Sequence, residues 1–503
     1  MLSTRAFALA LAFGVFFMAL VITVERLALS YTGENHYRGE HHATKRPEAF
    51  KHDNSQQTDR EPAPLSIETP SNMLSLESVS ESAGRSKSAP ESDCAQFPDT
   101  SKILLVMKTG ASEAFSKVPA QLVTSLKCLP EFLIFSDMEQ EIGGHKIYDS
   151  LDRVLDPVKT NNRDFDAYFR QRQCAADQES CNQNMDFEQE RWDLDKYKNL
   201  HIAEKAFNMR PNYDWYLFVD AGAYVVWPTM LRWLKKLHHT DPMYIGSKTS
   251  AGNSHFGDGG SGYVVSNRAM RGFFENEHNV ANRWDEATKR HCCGDLMFAK
   301  ALKEATGISV NDTWPTTNAE KPFTIHYSSK QWCQPIATMN HLGSEELSAL
   351  YAFERERKFT SPMRIRDLYH HFVAPRLVPN RPDWDNLSDD VFYLNMSENT
   401  YDHYQLRKAK LEGLSPLEKS AHLSFDSCQR ACQVDSACLQ YRYHNGVCGF
   451  SWTIKHGLPK KKASRISDRW MSGWDVDKIQ VWVQEHDHCD EEIQWPLIQT
   501  PRL

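Results

Sequence analysis

Apolar positions fall into distinct regimes along the chain. From Ala6 to Val24 they form one uncharged run, AFALALAFGVFFMALVITV, bounded by Arg5 and by Glu25-Arg26. As a helix rising about 1.5 Å per residue it would extend roughly 28 Å, the thickness of one hydrocarbon core. A cleaved signal peptide has an apolar core of only about 7–15 residues before a small-x-small site, which Ala28-Leu29-Ser30 would supply. The run is too long for the simple version of that. Residues 6–24 are therefore predicted to be an uncleaved transmembrane signal anchor, with residues 1–5 as a cytoplasmic tail. Across residues 25–93 apolar residues such as Leu76 and Val79 are scattered among Ser, Glu, Pro, His and Lys. Such a segment cannot bury enough surface to offset its ordering entropy, and it reads as a disordered stem.

From Cys94 onward the pattern becomes that of a folded α/β domain. Ile103-Leu104-Leu105-Val106-Met107 is a short apolar run ended by Lys108-Thr109-Gly110, as expected of a buried strand and its turn, and residues 131–137 repeat that form. A helix-like stretch from Asp193 to Met209 leads into another buried strand, Trp215 to Val219. Strand, helix, strand predicts a mostly parallel sheet whose ligands lie beyond the carboxyl ends of the strands, where Lys108-Thr109-Gly110 and Asp220-Ala221-Gly222 would stand. After a charged stretch at residues 401–419, taken as a linker, cysteines crowd into residues 420–490, which predicts a small disulfide-stapled module; residues 491–503 follow as a tail.

Length and charge narrow the picture. A chain of 503 residues exceeds one compact core, so two or more folded units are expected. A net charge of −8 offers no basic field for a polyanion, and only Lys460-Lys461-Lys462 forms a basic block, which argues against nucleic acid as a partner. Sequons at Asn311, Asn386 and Asn395, together with the anchor, place the folded part in a lumenal compartment where the twelve cysteines would be oxidised. Cys94 with Cys128 and Cys174 with Cys181 are natural local pairs. Cys292 and Cys293 are adjacent and are expected to bond elsewhere rather than to each other, with Cys333 a candidate partner. Zinc is the competing use, but no CxxC pair or His cluster supports it.

Four segments in order carry a specific resemblance. Arg191-Trp192-Asp193-Leu194-Asp195-Lys196-Tyr197-Lys198 leads into WYLFVDAGAYVVW at 215–227; Gly259-Gly260-Ser261-Gly262-Tyr263-Val264-Val265-Ser266 follows, then Cys292-Cys293-Gly294-Asp295, then Trp332-Cys333-Gln334-Pro335 through His341. Together they resemble glycosyltransferase family 31, its fungal Fringe-like members related to the core-1 β1,3-galactosyltransferases. A fifth segment, Asp383 to Asp390, looks like the end of the same domain, set at 94–400. The resemblance implies a GT-A (Rossmann-like) fold, a UDP-sugar donor, a glycan or glycoprotein acceptor, inversion to a β (β1,3) linkage, and residence in the Golgi as a single-pass type II membrane protein.

It also implies roles for particular residues. The family's strand ends in an acidic motif whose carboxylates hold Mn2+ or another divalent cation against the diphosphate. Here Asp220 keeps the first acid, but the last, usually the direct ligand, is Gly222. His341 matches the family's second metal ligand, although a lone His is more often structural. Lys108, Thr109, Gly110, Lys196 and Asp220, with the loop Gly259, Gly260, Ser261 and Gly262, are the expected donor-binding set; glycines also serve simple turns. Asp258 beside that loop is a further acid that would partly replace the missing one. Asp295 matches the catalytic base, and it also suits a helix N-cap before Leu296.

The spacing C-x3-C-x5-C-x9-C from Cys428, with Phe425 ahead of it, resembles a PAN/apple-like α+β module. That resemblance implies Cys428 with Cys448 and Cys432 with Cys438, and leaves Cys489 without a partner in the module. The competing function is a catalytically silent relative that kept the fold, lost its metal through Gly222, and acts as a lumenal glycan-binding or chaperone-like protein.

Overall fold

The computed structural model describes residues 94–174, 177–182, 187–397 and 401–499. The predicted anchor at 6–24 and stem at 25–93 lie outside the described residues, among which no helix is long and apolar enough to cross a membrane.

The folded part is mixed α/β, built on a large, mostly parallel sheet. Its strands are β1 (Ile103–Lys108), β2 (Phe132–Ser136), β3 (Gln140–Ile142), β4 (His145–Asp149), β5 (Trp215–Asp220), β7 (Tyr244–Gly246), β10 (Tyr263–Ser266) and β11 (Asn311–Asp312), in the order β11-β7-β10-β5-β1-β2-β4-β3. β1 runs parallel to both β2 and β5, which explains why these runs are apolar on both faces. β10 enters antiparallel between β5 and β7. Beside the sheet, β6 (Tyr224–Val225) pairs with β12 (Thr338–Met339), and β8 (Lys248–Ala251) forms a hairpin with β9 (Ser254–Gly257). The stretch expected as one helix from Asp193 is two, Phe187–Asp195 and Lys198–Met209.

The C-terminal sheet corrects the expected boundaries. Its order is β13 (Asn380–Pro382), β19 (Met471–Trp474), β16 (Gln440–His444), β17 (Val447–Ser451) and β15 (Val391–Tyr393), and β14 (Trp384–Asp385) pairs with β18 (Leu458–Pro459). Residues 380–393 thus belong with the cysteine-rich module rather than ending the first domain. The region 401–419 is not a free linker. Tyr404 donates to Asp389 at 2.5 Å, Lys410 N–H to Phe392 O at 3.0 Å, and Tyr393 to Glu418 at 2.8 Å. Nor does the tail hang loose, since Trp495 and Ile498 pack against the core under the large sheet. A second buried cluster runs from Tyr327, Trp332 and Tyr369 to Leu439, Ile454 and Trp474, so the segment 325–373 and the C-terminal sheet share one core.

Six disulfides join the described cysteines. Cys94–Cys128, Cys174–Cys181, Cys428–Cys448 and Cys432–Cys438 pair as expected. Two findings differ: Cys292 bonds to its neighbour Cys293, and Cys333 bonds to Cys489 across 156 residues. Adjacency does not forbid a disulfide when the turn between the two residues brings both sulfurs to one side. The long-range bond closes the shared core, where Trp332 meets Trp482 with ring centroids 5.2 Å apart.

Asn386 is also corrected. Its side chain is fully buried and its Nδ2 donates to the carbonyls of Tyr441 and Gly473, each at 3.1 Å, so a glycan there would prevent the segment from packing. Asn311 is half-buried with Gln499 N–H on its Oδ1, and Asn395 accepts from Ser397 of its own sequon. Glycopeptide mass spectrometry of secretory-pathway protein is expected to find Asn386 unmodified and any glycan at Asn395 or Asn311. A fully occupied Asn386 would contradict the packing of this segment.

Candidate functional site

Lys108 and Asp220 end the neighbouring parallel strands β1 and β5 and are partners in register. They line a pocket with Asn199, Gly259 and Tyr263 at the carboxyl edge of the sheet. The turn after β5 is fixed from below, because the buried Gln121 donates to Ala221 O at 2.8 Å and to Ala223 O at 2.7 Å.

Charges here form a chain. Lys108 Nζ lies 2.6 Å from Asp195 Oδ2, 3.5 Å from Asp220 Oδ1 and 3.5 Å from Asn199 Oδ1. Lys198 Nζ stands behind, 3.3 Å from Asp195, 3.1 Å from Asp137 and 3.2 Å from Thr109 O. Burial opposes ionisation of Asp195, yet the two ammonium groups win and hold its carboxyl down to about 2. At Asp220 burial wins over Lys108, and its carboxyl is raised. Asp195 and Asn199 were not expected at the site by role; Asp195 ends the helix Phe187–Asp195 and Asn199 lies in the first turn of the helix Lys198–Met209, so the turn between the two helices is what brings them together.

The glycine loop roofs the pocket. Gly259 N–H donates to Asp295 Oδ2 at 3.0 Å, and Gly262 N–H turns back to Gly259 O at 3.1 Å. Gly262 has φ +78°, and a β-carbon there would stand 3.2 Å from Val219 Cγ1, so glycine is required. At Gly260 a β-carbon would meet Asn340 Nδ2 at 2.9 Å. Asp258 does not replace the missing acid. Its two oxygens are committed within the loop, to Gly260 N–H at 3.0 Å and Ser261 Oγ at 2.7 Å.

Asp295 lies in the first turn of the helix Gly294–Thr306, whose N-cap is Cys293, so the N-cap role is corrected. Two features hold it against the glycine loop. Helix Lys198–Met209 approaches so closely that a β-carbon at Gly294 would stand 2.6 Å from Asn199 Oδ1, and Phe218, Tyr263 and Phe298 stack at 5.0 and 5.4 Å between centroids. Burial pushes the Asp295 carboxyl up to about 7, with the Gly259 N–H and the Lys108 charge opposing and the Asp258 charge assisting. A carboxyl near 7, bonded to the pocket-lining Gly259, is poised to exchange protons at neutral pH.

Other expected residues fall elsewhere. Lys196 is buried and pairs with Asp164 at 2.8 Å, away from Asp220. Thr109 contributes its carbonyl to Lys198 rather than its hydroxyl to the pocket, and Gly110 caps the next helix. His341 is brought beside the acidic turn, since Leu342 N–H donates to Gly222 O at 3.0 Å, but His341 itself is exposed and has φ +57°.

These residues do not fit a divalent cation. Such an ion takes six or more oxygen ligands with carboxylates prominent. Here Asp220 already faces an ammonium group, and the space that an acidic side chain at 222 would enter is held by Asn340, whose Oδ1 would be 3.3 Å from a β-carbon there. No protein-family model matches the chain, and no curated protein matches it.

Proposed function

We propose that this chain is an inverting glycosyltransferase of the Fringe-like kind, held by an N-terminal anchor in a secretory-pathway membrane, with a GT-A-like domain that moves a sugar from a UDP-sugar to a glycan or glycoprotein. The observation that carries the reading is that Asp220 and Gly259 line one pocket at the carboxyl edge of a mostly parallel sheet, with Gly259 N–H held by Asp295 at 3.0 Å. Inversion needs one base on the face opposite the leaving group. Asp295 would take the proton of the acceptor hydroxyl as that oxygen bonds to the anomeric carbon, and UDP would depart from the other face. The C-terminal module, a sheet tied to the helix Phe425–Val434 through Cys428 and Cys432, supports a PAN/apple-like role in docking the acceptor.

Gly222 favours a second reading, a silent relative that binds glycans without transferring sugar. The two separate on UDP release from a panel of UDP-sugars by the full-length protein. Release with at least one donor is expected and supports transfer. Glycan binding with no release from any donor would overturn the enzyme in favour of the silent relative.

A further inference from the structure

Where the family pattern would have Asp220 meet a metal ion, it meets a fixed positive charge. We propose that Lys108 takes the place of a divalent cation at the donor's diphosphate, so that the site binds UDP and stabilises the leaving group with an ammonium ion. The inference rests on the transferase reading above and adds the group that carries the leaving charge.

Position and bonding capacity both support it. Lys108 lines the pocket beside Asp220 and Gly259, at the strand edge where a diphosphate would lie. Of its three N–H groups one is spent on Asp195 at 2.6 Å, while Asn199 and Asp220 stand at 3.5 Å, too far to hold the others firmly. Asp195 is shared with Lys198 at 3.3 Å, and Lys198 is itself held by Asp137 at 3.1 Å. A phosphate oxygen entering the pocket would exchange the long Asp220 contact for a charge-assisted hydrogen bond. At the missing acid, Gly222 has given its space to Asn340, a neutral side chain that adds no charge for a cation to bind.

The transfer step balances without another reactant. The acceptor oxygen forms a bond to the anomeric carbon and its proton goes to Asp295. The bond from that carbon to the β-phosphate oxygen breaks, its electron pair leaves with UDP, and the added negative charge falls beside the Lys108 ammonium. Asp295 then releases its proton to solvent.

Calorimetric titration of UDP into the full-length protein in EDTA and in manganese tests this. Wild type is expected to bind UDP equally in both to within about threefold. Lys108→Met should weaken binding by about tenfold to a hundredfold, the usual value of a hydrogen bond to a charged group, while Lys108→Arg retains most of it. Gly222→Asp, which leaves Lys108 in place, should make binding respond to manganese. Wild-type binding that requires manganese would overturn the proposal and leave the transferase reading standing. A Lys108→Met protein that melts like wild type and binds UDP equally well would also overturn it. Should wild type bind no UDP in either condition, both readings fall.

Discussion

Replacing Asp295 by asparagine is expected to remove transfer activity by a factor of about 10²–10⁴ while leaving UDP binding in place. The Gly259 and Leu296 N–H groups bond to different oxygens of Asp295, Oδ2 at 3.0 Å and Oδ1 at 2.8 Å, so the amide's single carbonyl oxygen keeps one of the two bonds and the other is lost. The amide also loses the capacity to take a proton. The pH dependence follows from the same carboxyl. With Asp295 raised to about 7, the fraction ionised climbs through neutrality, so kcat/KM should rise with unit slope below pH 7 and level off above it. The stability sign runs the other way. A carboxyl whose folded pKa lies above its unfolded value near 3.9 binds more protons in the folded state, so wild-type stability should fall between about pH 4 and pH 7. Asparagine carries no such dependence, so the stability gap between the two proteins should narrow as pH rises from about 4 to 7. An Asp295→Asn protein that turns over donor at the wild-type rate would place the base elsewhere, and one that unfolds would make Asp295 a structural residue.

The largest stability effect is expected far from this pocket. Arg442→Met should destabilise the folded chain by about 1.5–3 kcal/mol, because it removes a charge-assisted bond from the buried Asp385 and leaves that carboxylate to Lys460 and one N–H. Asp385 is fully buried, with Arg442 at 2.5 Å, Lys460 at 3.3 Å and Leu387 N–H at 2.9 Å. Burial alone would raise its carboxyl, but the Arg442 and Lys460 charges and the Leu387 N–H hold it below the usual carboxylate range. A depressed folded pKa contributes stability that is present above about pH 4 and is lost as pH falls through the folded value. The gap between wild type and Arg442→Met in urea unfolding should therefore be widest at neutral pH and shrink in acid. The double variant Asp385→Leu with Arg442→Met should recover much of the loss, since apolar replacement of a whole buried pair is often neutral. A single variant within 1 kcal/mol of wild type would show that Asp385 is not held as described.

Much of the scaffold was legible along the chain. Strands such as Ile103–Lys108 and Trp215–Asp220 are unbroken apolar runs bounded by turn residues, and local bonding decides such elements. The pairs Cys428–Cys448 and Cys432–Cys438 followed from the resemblance of their spacing to a PAN/apple-like module. The site was legible in part: Asp220, the glycine loop and Asp295 were each visible, but their convergence was not. Asn199 and Asn340 carry no signal of their own and matter only because two glycines let them in.

What the tertiary structure decided concerns contacts between residues far apart in sequence. Nothing near Asn386 or Asp385 marks them as buried, yet the strands at 380–393 join a sheet completed more than fifty residues later, at Gln440–His444 and Met471–Trp474, and both side chains go to its interior. Cys489 finds Cys333 for the same reason: the two parts share a core, and that neighbourhood exists only once the chain has folded back. Lys196 and Lys108 make the point within the pocket. Both are lysines near the expected donor site, but Lys196 lies in the turn between two helices and Lys108 at the end of a strand. Lys196 turns to Asp164, and Lys108, at the end of its strand, is the cation left beside Asp220.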